Sequence, residues 1–528
     1  MRMLSMGLDA VLVEVGGLAE AMALHARLAA SSPPGVIDVV PAAATVLVRV
    51  DRAVVTLDAV RAWVAASVTG TGAPPAPPVR VSLPIRYDGA DLDDLAAMFG
   101  SSREALAARH AATDWTVAFT GFAPGFGYLI GAGWDLDVPR RRSPRTRVPP
   151  GSVALAGVFS GAYPRETPGG WQLVGTTDAA LFDPDAAQPA LLVPGAPVRF
   201  EPLRPRSVAA RRDAARPAPA PAPARVPALR GIRIASPGVQ ATLQDGGRPG
   251  RAAAGIGVAG AADPAAWALG NRLLGNGRGA AAIEVAVGGF RAVAERDLSV
   301  VVTGAWAPVV IGGRASDPYV VHAWPAGTEL RLDGFLGGAR AYLAVRGGWD
   351  LAPVLGSRST DTLSGLGPAP LQAGDVVPVG DDVEAPVPAL PLHPWGPPQL
   401  GTEAAPLEIP FVPGPRDDWL SASSRRLLAE ETWAVSAAAD RVGIRLDGPH
   451  LERARLDELA SEGMVPGAIQ VPPSGQPVVF GVDAPVTGGY PVVGVVSATG
   501  RSRLAQALPG ARVRLRPIPG GARTADDR

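Results

Sequence analysis

The 528-residue sequence contains no cysteine, which excludes thiol nucleophiles, thiolate zinc sites and disulfide bonds. It also contains no lysine, because all 49 basic residues are arginine. A Walker A phosphate loop, a Schiff-base lysine and a biotin-carrying lysine all need that side chain, so this sequence can form none of them. Any nucleotide must therefore be held in another way.

Histidine is scarce, and long hydrophobic runs are missing. No pair of histidines has HxH or HExxH spacing, so we predict no metal-binding residues. No apolar stretch reaches the roughly 18 residues of a membrane helix, and the N-terminus lacks the pattern of a secretion signal. We therefore expect a soluble, cytoplasmic protein. The histidines are His25, His110, His322, His393 and His450.

Arginine is balanced by 49 acidic residues, so the net charge is zero and neither nucleic acid nor a membrane is the expected partner. The 64 glycines and 56 prolines together exceed a fifth of the chain. Such frequent glycine and proline residues favour short strands joined by turns and predict a mainly β protein. The length predicts two to four domains.

The first domain predicted is a small α+β unit at residues 1–78. Its strand-like runs at 10–15 and 45–50 flank a segment with helical spacing at 18–30. A second unit at 79–206 opens on a strand-like run and two short helices. Ser101 and Glu104 have the spacing of a capping box at the second helix.

An Ala/Pro linker at 207–229 divides the chain. Its alternating Ala and Pro residues have nothing to bury, so we predict an extended spacer between two folded halves that bind each other. In the second half, a loose Pro-rich stretch from residue 386 separates predicted domains at 230–385 and 386–520.

Residues 120–177 combine glycine and proline turns with closely spaced arginines. Glycine lets the backbone approach a ligand closely, as at Gly125, and arginine supplies donors for carboxylate or phosphate oxygens. Arg145 and Arg147 alternate on a strand-like segment, so both would project to one side and suit an anion, unless the run is a solvated face. Glu166 is either a turn carboxylate or a catalytic base or partner for these arginines.

The second half has similar ambiguities. Asp263, followed by Pro264, has the pattern of a helix N-cap, which is also an anion-binding position, and Gly275 ends that helix. Asp245 and Arg248 lie in a Gly-rich turn, where they contact a ligand or simply pair with each other.

Two polar residues near the end of the chain are predicted to face a pocket. Gln470 lies on a strand-like run and would be an expensive core residue if unpaired; its amide could read a substrate amide. Tyr490, just after Thr487 and two glycines, has no packing periodicity and is predicted to line a pocket.

The first half resembles a known family through three separated motifs in that family's order. They are FAPGFGYL at 122–129, PRTRVP at 144–149 and ETPGGW at 166–171. They are similar to the subunit 1 family of allophanate hydrolase, also called the KipI family, which includes the B subunit of bacterial 5-oxoprolinase.

The second half resembles the subunit 2, or KipA, family, which includes the C subunit of 5-oxoprolinase. Three of the matching motifs are SPGVQATLQDGGRPG at 236–250, GSRST at 356–360 and SEGMVPGAIQVPP at 461–473. Asp361 departs from the aromatic residue expected after the second of these. The resemblance implies cyclophilin-like β-barrel domains, one in the first half after the α+β domain and two in the second.

In functional terms the chain resembles the B and C subunits of ATP-dependent 5-oxoprolinase fused together. That implies a hydrolase that opens the small molecule 5-oxoproline to L-glutamate with ATP as co-substrate, together with Mg, and with a separate A subunit. A homo-oligomer is left open. An enzyme alternative is a biotin-dependent carboxyltransferase of urea carboxylase type. A non-enzymatic alternative is a KipI-type kinase regulator, which the fusion disfavours because an inhibitor joined to its antagonist would cancel.

We predict catalytic roles for Glu166, Asp263 and Arg358. The residues predicted to contact substrate or ATP are Gly125, Arg145, Arg147, Asp245, Arg248, Gln470, Thr487 and Tyr490.

Overall fold

The computed structural model describes residues 1–69, 79–203, 231–394, 396 and 398–518. The predicted linker at 207–229 lies outside these residues. The described chain is mainly β, as predicted, and it forms four units in chain order. None of the described helices is long and apolar enough to cross a membrane.

The N-terminal unit is an antiparallel sheet with two helices, and the helix predicted at 18–30 is confirmed. Helix α1 buries Ala21, Leu24 and Leu28, which recur at helical spacing on one face. The strand order is β1-β2-β4-β3. The elements are β1 (Arg2–Ser5), β2 (Ala10–Glu14), α1 (Leu18–Ala30), β3 (Val36–Pro41), β4 (Thr45–Val50) and α2 (Leu57–Thr69).

The second unit is a seven-stranded sheet in the order β12-β9-β10-β7-β6-β13-β5. A bridge between Arg86 and Thr176 joins its two edges, so the sheet closes into a barrel. Strands β8 and β11 form a separate ribbon. The elements are β5 (Val81–Ile85), α3 (Leu92–Met98), α4 (Arg103–Ala112), β6 (Trp115–Thr120), β7 (Gly127–Gly131), β8 (Arg145–Val148), β9 (Ser152–Ala156), β10 (Phe159–Ala162), β11 (Thr167–Gly169), β12 (Gln172–Thr176) and β13 (Pro197–Pro202).

The capping box predicted at Ser101 is wrong by one residue. Ser102 is the N-cap of α4, and its Oγ accepts a hydrogen bond from the Ala105 N–H at 3.1 Å. The Ser101 hydroxyl makes only a long contact of 3.4 Å to the Ser102 carbonyl. Either of the two adjacent serines could cap the helix. Ser102 is the cap because it is the residue with extended backbone immediately before the first helical residue.

The third unit encloses one core between two sheets, ordered β20-β19-β22-β17-β14-β25 and β15-β16-β23-β18-β21, with β24 and β26 as a small pair. The elements are β14 (Ile232–Pro237), β15 (Gln240–Gln244), α5 (Pro264–Leu274), β16 (Ala282–Ala286), β17 (Phe290–Ala294), β18 (Leu298–Trp306), β19 (Val309–Ile311), β20 (Arg314–Ser316), β21 (His322–Trp324), β22 (Glu329–Leu332), β23 (Gly337–Val345), β24 (Gly347–Trp349), β25 (Val376–Val377) and β26 (Val379–Asp382).

The fourth unit is a closed barrel in the order β27-β34-β31-β32-β29-β28-β35. The chain before it, to His393, still runs along the third unit, because the His393 N–H donates to the Tyr319 carbonyl at 3.0 Å. The elements are β27 (Leu407–Pro413), α6 (Ala422–Glu430), β28 (Trp433–Val435), β29 (Gly443–Asp447), β30 (Glu462–Gly463), β31 (Ala468–Gln470), β32 (Val478–Phe480), β33 (Thr487–Gly488), β34 (Val492–Val496), α7 (Ala498–Ala505) and β35 (Arg512–Pro517).

The two halves pack directly on each other. One hydrophobic cluster combines side chains of the N-terminal unit with side chains of the last barrel, among them Leu12, Leu47, Met464 and Val495. At its edge the buried Arg416 of the last barrel binds Glu462 and also reaches Glu14 of the first unit, at 2.8 Å. Loops of both halves are therefore brought together in the folded chain.

Candidate functional site

Five loops meet where the barrel of the first half contacts the second half. We call this place the junction; it comprises residues 120–127, 163–167, 245–258, 357–367 and 483–488. The Thr120 hydroxyl donates to the Ala253 carbonyl, and the Gly125 N–H donates to the Ala254 carbonyl at 3.2 Å. A Cβ atom at Gly121 would lie 2.0 Å from Thr487 Oγ1, so only glycine allows this approach.

Asp245 anchors the junction from the third unit. Its Oδ1 accepts hydrogen bonds from the hydroxyls of Ser357 and Ser359, each at 2.6 Å, and its Oδ2 accepts one from the Arg358 N–H at 2.6 Å. Its Oδ1 also accepts the Gly247 N–H at 2.8 Å. The carboxylate therefore holds two loops together, and it does not pair with Arg248.

Arg248 is buried with too few acceptors. Its side chain is 2% exposed and its Nη2 donates to the Ser359 carbonyl. Its Nε and Nη1 have no hydrogen-bond partner among the described residues. Burial lowers the pKa of Arg248, although the charges of Asp361, Asp245 and Asp483 oppose this effect. A buried guanidinium in this state is suited to binding an anion.

Arg165 reaches the junction from the first half. Its Nη2 donates to the Leu363 carbonyl across the boundary between the halves. Its Nε is buried without a partner in the described chain, and burial lowers the pKa of Arg165 against the charge of Asp361. Sequence reasoning missed this residue, although it lies immediately before the ETPGGW motif that begins at Glu166.

Asp361 lies in the field of both arginines. It is 2% exposed, and its Oδ1 accepts the N–H groups of Leu363 and Ser364 at 2.9 Å each. Neither Arg165 nor Arg248 makes a hydrogen bond or ion pair with it in the described chain. Burial and the charge of Asp483 raise the pKa of Asp361. The side chain is therefore biased towards the neutral acid.

A buried ion-pair network borders the junction and joins the last two units. Arg441 Nη1 lies 2.6 Å from Glu284 Oε1, and its Nε and Nη2 both contact Asp483 at 2.9 Å. Burial alone would raise the pKa of Glu284, but the charges of Arg441 and Arg340 hold it below its usual value. Asp483 also accepts the Thr362 hydroxyl at 2.7 Å, so the network fixes the loop that carries Asp361.

A small cleft adjoins the junction. Its wall includes Ala252, Gly257 and Val258 from the junction, and Asp38 and Arg49 from the N-terminal unit. A Cβ atom at Gly257 would lie 3.8 Å from Asp361 Oδ2, so the Asp361 carboxyl lies directly behind this wall. The free space inside this cleft is about 20 Å³, room for about one water molecule, so the cleft as it stands does not accommodate a small substrate.

The structure separates Arg145 from Arg147, which were predicted to face one anion together. Arg145 Nη2 lies 2.6 Å from Asp91 Oδ1, whereas the exposed Arg147 pairs with Glu166 through Nε at 2.9 Å and Nη2 at 2.6 Å. Each guanidinium therefore has its own carboxylate partner, and the two do not share one anion within the protein. The hydrogen bond from Arg147 lowers the pKa of Glu166. Their roles towards a ligand stay predictions.

Asp263 and Arg358, predicted to be catalytic, both make structural contacts. Asp263 caps α5 as the sequence indicated, with Oδ1 accepting the Ala266 N–H at 3.3 Å, while Oδ2 accepts Gln506 Nε2 at 2.9 Å. The Arg358 side chain turns to the Leu351 carbonyl, at 2.8 Å from Nε. The backbone of Arg358, not its side chain, contributes to the junction through Asp245.

The remaining predicted residues are divided between the junction and the last barrel. Gly125 and Thr487 lie at the junction. Gln470 is buried, and its Nε2 donates to the Tyr490 carbonyl at 2.8 Å, so this donor is satisfied within the protein. The Tyr490 side chain is 47% exposed.

The chain matches two family models. One, described as "Carboxyltransferase domain, subdomain C and D", matches residues 1–192, and the other, "Carboxyltransferase domain, subdomain A and B", matches residues 254–517. A solved protein, TTHA0988, has the same fold over 96% of this chain and 99% of its own, with a TM-score of 0.83 and 33% sequence identity.

Curated relatives match one part of the chain each. The 5-oxoprolinase C subunit of Escherichia coli K12 is 36% identical over 286 residues, which are 52% of this chain and 87% of that protein. The 5-oxoprolinase B subunit of Escherichia coli O157:H7 is 45% identical over 127 residues, 24% of this chain and 58% of that protein.

A third relative is a much longer protein. Urea amidolyase of Saccharomyces cerevisiae is 30% identical over 307 residues, 54% of this chain but 16% of its own length. With both family models matched in one polypeptide, this chain belongs to the carboxyltransferase-domain family, with subdomains C and D followed by subdomains A and B.

Proposed function

We propose that this chain is the fused B and C component of an ATP-dependent 5-oxoprolinase, and that it opens 5-oxoproline to L-glutamate together with a separate A subunit. The observation that carries the proposal is the junction. The half-buried Arg165 from the B-like half and the buried Arg248 from the C-like half both bring incompletely bonded guanidinium groups to the junction. A substrate anion bound there would contact both halves, which agrees with relatives that are named as subunits of one enzyme.

The proposed chemistry matches the charges of the junction. Opening a lactam is uphill, and phosphorylation of the amide oxygen by ATP would make the carbonyl carbon electrophilic. Preorganised cations at the junction would stabilise the negative charge carried by the substrate. Water would then add to that carbon, the C–N bond would break and phosphate would leave. We assign to Asp361, whose pKa is raised, the role of supplying a proton to the nitrogen that is released.

ATP, with Mg²⁺ as its counter-ion, is a co-substrate in this proposal. Among the described residues no three potential metal ligands cluster together, so we assign no protein residues to the ion. The nucleotide must be bound without lysine, because the chain has none. We therefore do not assign the nucleotide site. The two candidate places are the junction and the surface that the A subunit would contact.

The function is tested by measuring glutamate release from L-5-oxoproline and ATP. We expect turnover when the chain is mixed with the purified A subunit, and little from either protein alone. Equal turnover by this chain alone would overturn the requirement for the partner. Absence of glutamate in every combination would overturn the function itself.

A second candidate is a carboxyltransferase of urea carboxylase type. Both family descriptions name a carboxyltransferase domain, and a urea amidolyase is among the relatives, which favours this alternative specifically. Since the chain has no lysine, it would have to accept carboxybiotin from another protein. Carboxylated product formed with a separate biotin carrier, and no glutamate from 5-oxoproline, would support this candidate over the first.

A further inference from the structure

We propose that Arg165 and Arg248 together form a subsite for one carboxylate group of a small substrate, and that this subsite is complete only when the two halves are docked. The proposal deepens the function proposed above, on which it rests for the choice of 5-oxoproline as probe. The subsite itself is argued from the geometry of the junction.

The first step is the unmet hydrogen-bonding capacity of the two arginines. Among the described residues, Arg248 alone has two buried side-chain nitrogens without a hydrogen-bond partner, and Arg165 has one. Arg441, which is equally buried, shows the contrast, since it binds Glu284, Asp483 and the Gly260 carbonyl. Arg441 is a structural cation, whereas Arg248 lacks the acceptors that a structural role would supply.

The second step is the position of the loop between the two guanidinium groups. A Cβ atom at Gly367 would lie 3.1 Å from Arg248 Nη2, and one at Gly365 would lie 3.5 Å from Arg165 Nη1. Both glycines have positive φ, 84° and 69°, so the loop from Asp361 to Gly367 can approach both arginines with bare backbone. The two cations thus flank a single short loop that carries Asp361.

The third step is the choice of a carboxylate over a polyphosphate. Asp245, Asp361 and Asp483 all lie within electrostatic range of Arg248. These acids would repel a triphosphate, which carries several negative charges, much more strongly than a monoanion. The charges around Arg248 therefore favour a compact monocarboxylate over a polyphosphate.

The fourth step is the dependence on both halves. Arg165 is fixed in the junction by its bond to the Leu363 carbonyl, which belongs to the other half. Arg248 is held by the Ser359 carbonyl within the second half. Undocking the halves would remove Arg165 and leave only one of the two cations in the subsite.

The test is calorimetric titration of the full chain with three probes in the absence of ATP. L-5-Oxoproline has a lactam and a carboxylate, 2-pyrrolidinone has only the lactam, and cyclopentanecarboxylate has only the carboxylate. We expect Arg165→Gln and Arg248→Gln each to weaken binding of both carboxylates about a hundredfold, because a buried, charge-assisted partner is lost. Binding of 2-pyrrolidinone should be weak in every variant.

Matched controls are Arg199→Gln and Arg233→Gln, which replace arginines that pair with Asp114 and Glu295 at the surface. They should bind both carboxylates like the parent protein. A second readout is the melting temperature without ligand, which should not fall in Arg248→Gln, because the variant removes a buried cation that lacks acceptors. If Arg248→Gln does not fold, Arg248→Lys retains the charge, and it should bind more weakly than the parent because the forked donor geometry is lost.

The outcomes separate this inference from the proposed function. Failure of the parent to bind either carboxylate, unchanged binding by both junction variants, or ATP binding that depends on Arg248 would overturn the subsite. Unchanged binding by these variants together with normal turnover of 5-oxoproline would refute the inference and leave the function standing. Arginine-dependent binding of cyclopentanecarboxylate without any 5-oxoproline turnover would support the subsite and refute the function.

Discussion

The same residue type has opposite roles at neighbouring buried positions. Burial lowers the pKa of both Arg248 and Arg441, but Glu284 and Asp483 reverse this effect for Arg441 and raise its pKa above the usual value. Arg441 is therefore held as a fully bonded cation between two units. Arg248 has two buried nitrogens without a hydrogen-bond partner in the described chain. Burial and the charge of Asp483 raise the pKa of Asp361, which favours its neutral form.

Asp361→Asn tests that electrostatic environment. Because burial and Asp483 raise the pKa of Asp361, the folded chain binds a proton more tightly than the unfolded chain, and stability falls as pH rises through the folded pKa. Asn carries no charge and keeps an acceptor for the N–H groups of Leu363 and Ser364. The variant should therefore melt above the parent at pH 7.5, by about 2–4 °C for each kcal/mol gained.

The difference in melting temperature between Asp361→Asn and the parent should become smaller towards pH 4, because the parent carboxyl is increasingly protonated there. Asp185→Asn, at an exposed position, is the matched control. Melting curves from pH 4 to 8 are the measurement. A variant that is less stable than the parent at pH 7.5 would contradict a buried, proton-binding Asp361.

At the scale of elements, residues next to a helix determine where it begins and ends, whereas the position of a loop depends on contacts with distant residues. Helix α5 begins with Asp263 as cap and Pro264 at its first position, and it ends at Gly275 in the left-handed conformation, with φ of 66°. The loop from β6 to β7 lies at the junction because Thr487 of another unit packs against Gly121.

Ser102→Ala and Ser101→Ala form a matched pair at the start of α4. Loss of the Ser102 cap removes the acceptor for the Ala105 N–H and should destabilise the helix by about 1 kcal/mol. Hydrogen exchange of the α4 amides should therefore be about fivefold faster in Ser102→Ala. Ser101→Ala should exchange like the parent. Faster exchange in Ser101→Ala alone would restore the capping box predicted from the sequence.

At the scale of the whole molecule, two units share a topology and the halves share a core. In both the second and the fourth unit the last strand runs parallel to the first, β13 beside β5 and β35 beside β27. The halves meet through a common apolar cluster and through backbone bonds such as that from the Ala43 N–H to the Ser461 carbonyl, at 3.1 Å. The covalent connection at 207–229 is therefore not what holds the halves in contact.

Cleavage at an engineered protease site within residues 207–229 should leave a complex of unchanged size. Leu47 packs against the last barrel, where a Cβ atom at Gly463 would lie 2.6 Å from Leu47 Cβ. Leu47→Asp in the cleaved protein should release the halves, because a charge would be buried in an apolar contact. Val54→Asp, at a position that is 60% exposed in the same unit, is the control. Size-exclusion chromatography distinguishes the two states.

Separation of the halves of the cleaved parent protein into folded monomers would contradict the shared core. It would also remove the basis for a composite junction, since Arg165 would then have no fixed place in the second half.

The sequence by itself determined the features that depend on neighbouring residues. The helix at 18–30, the cap of α5, the strands at 45–50 and 81–85 and the mainly β architecture all follow from short-range periodicity, caps and turns, and the structure confirms them. The absence of cysteine and lysine likewise excluded whole classes of chemistry before any fold was known.

Only the tertiary structure decided which charges remain unpaired. Arg145 and Arg147 look equivalent in sequence, yet Asp91, 54 residues away, binds the first, and Glu166 binds the second. Sequence analysis did not single out Arg165 and noted Asp361 only as a departure from a motif, but docking of the halves places Arg165 against the loop that carries Asp361. Ion pairing and desolvation depend on contacts between residues far apart in the chain, so no local pattern could predict that Arg248 would keep two buried nitrogens without a partner among the described residues.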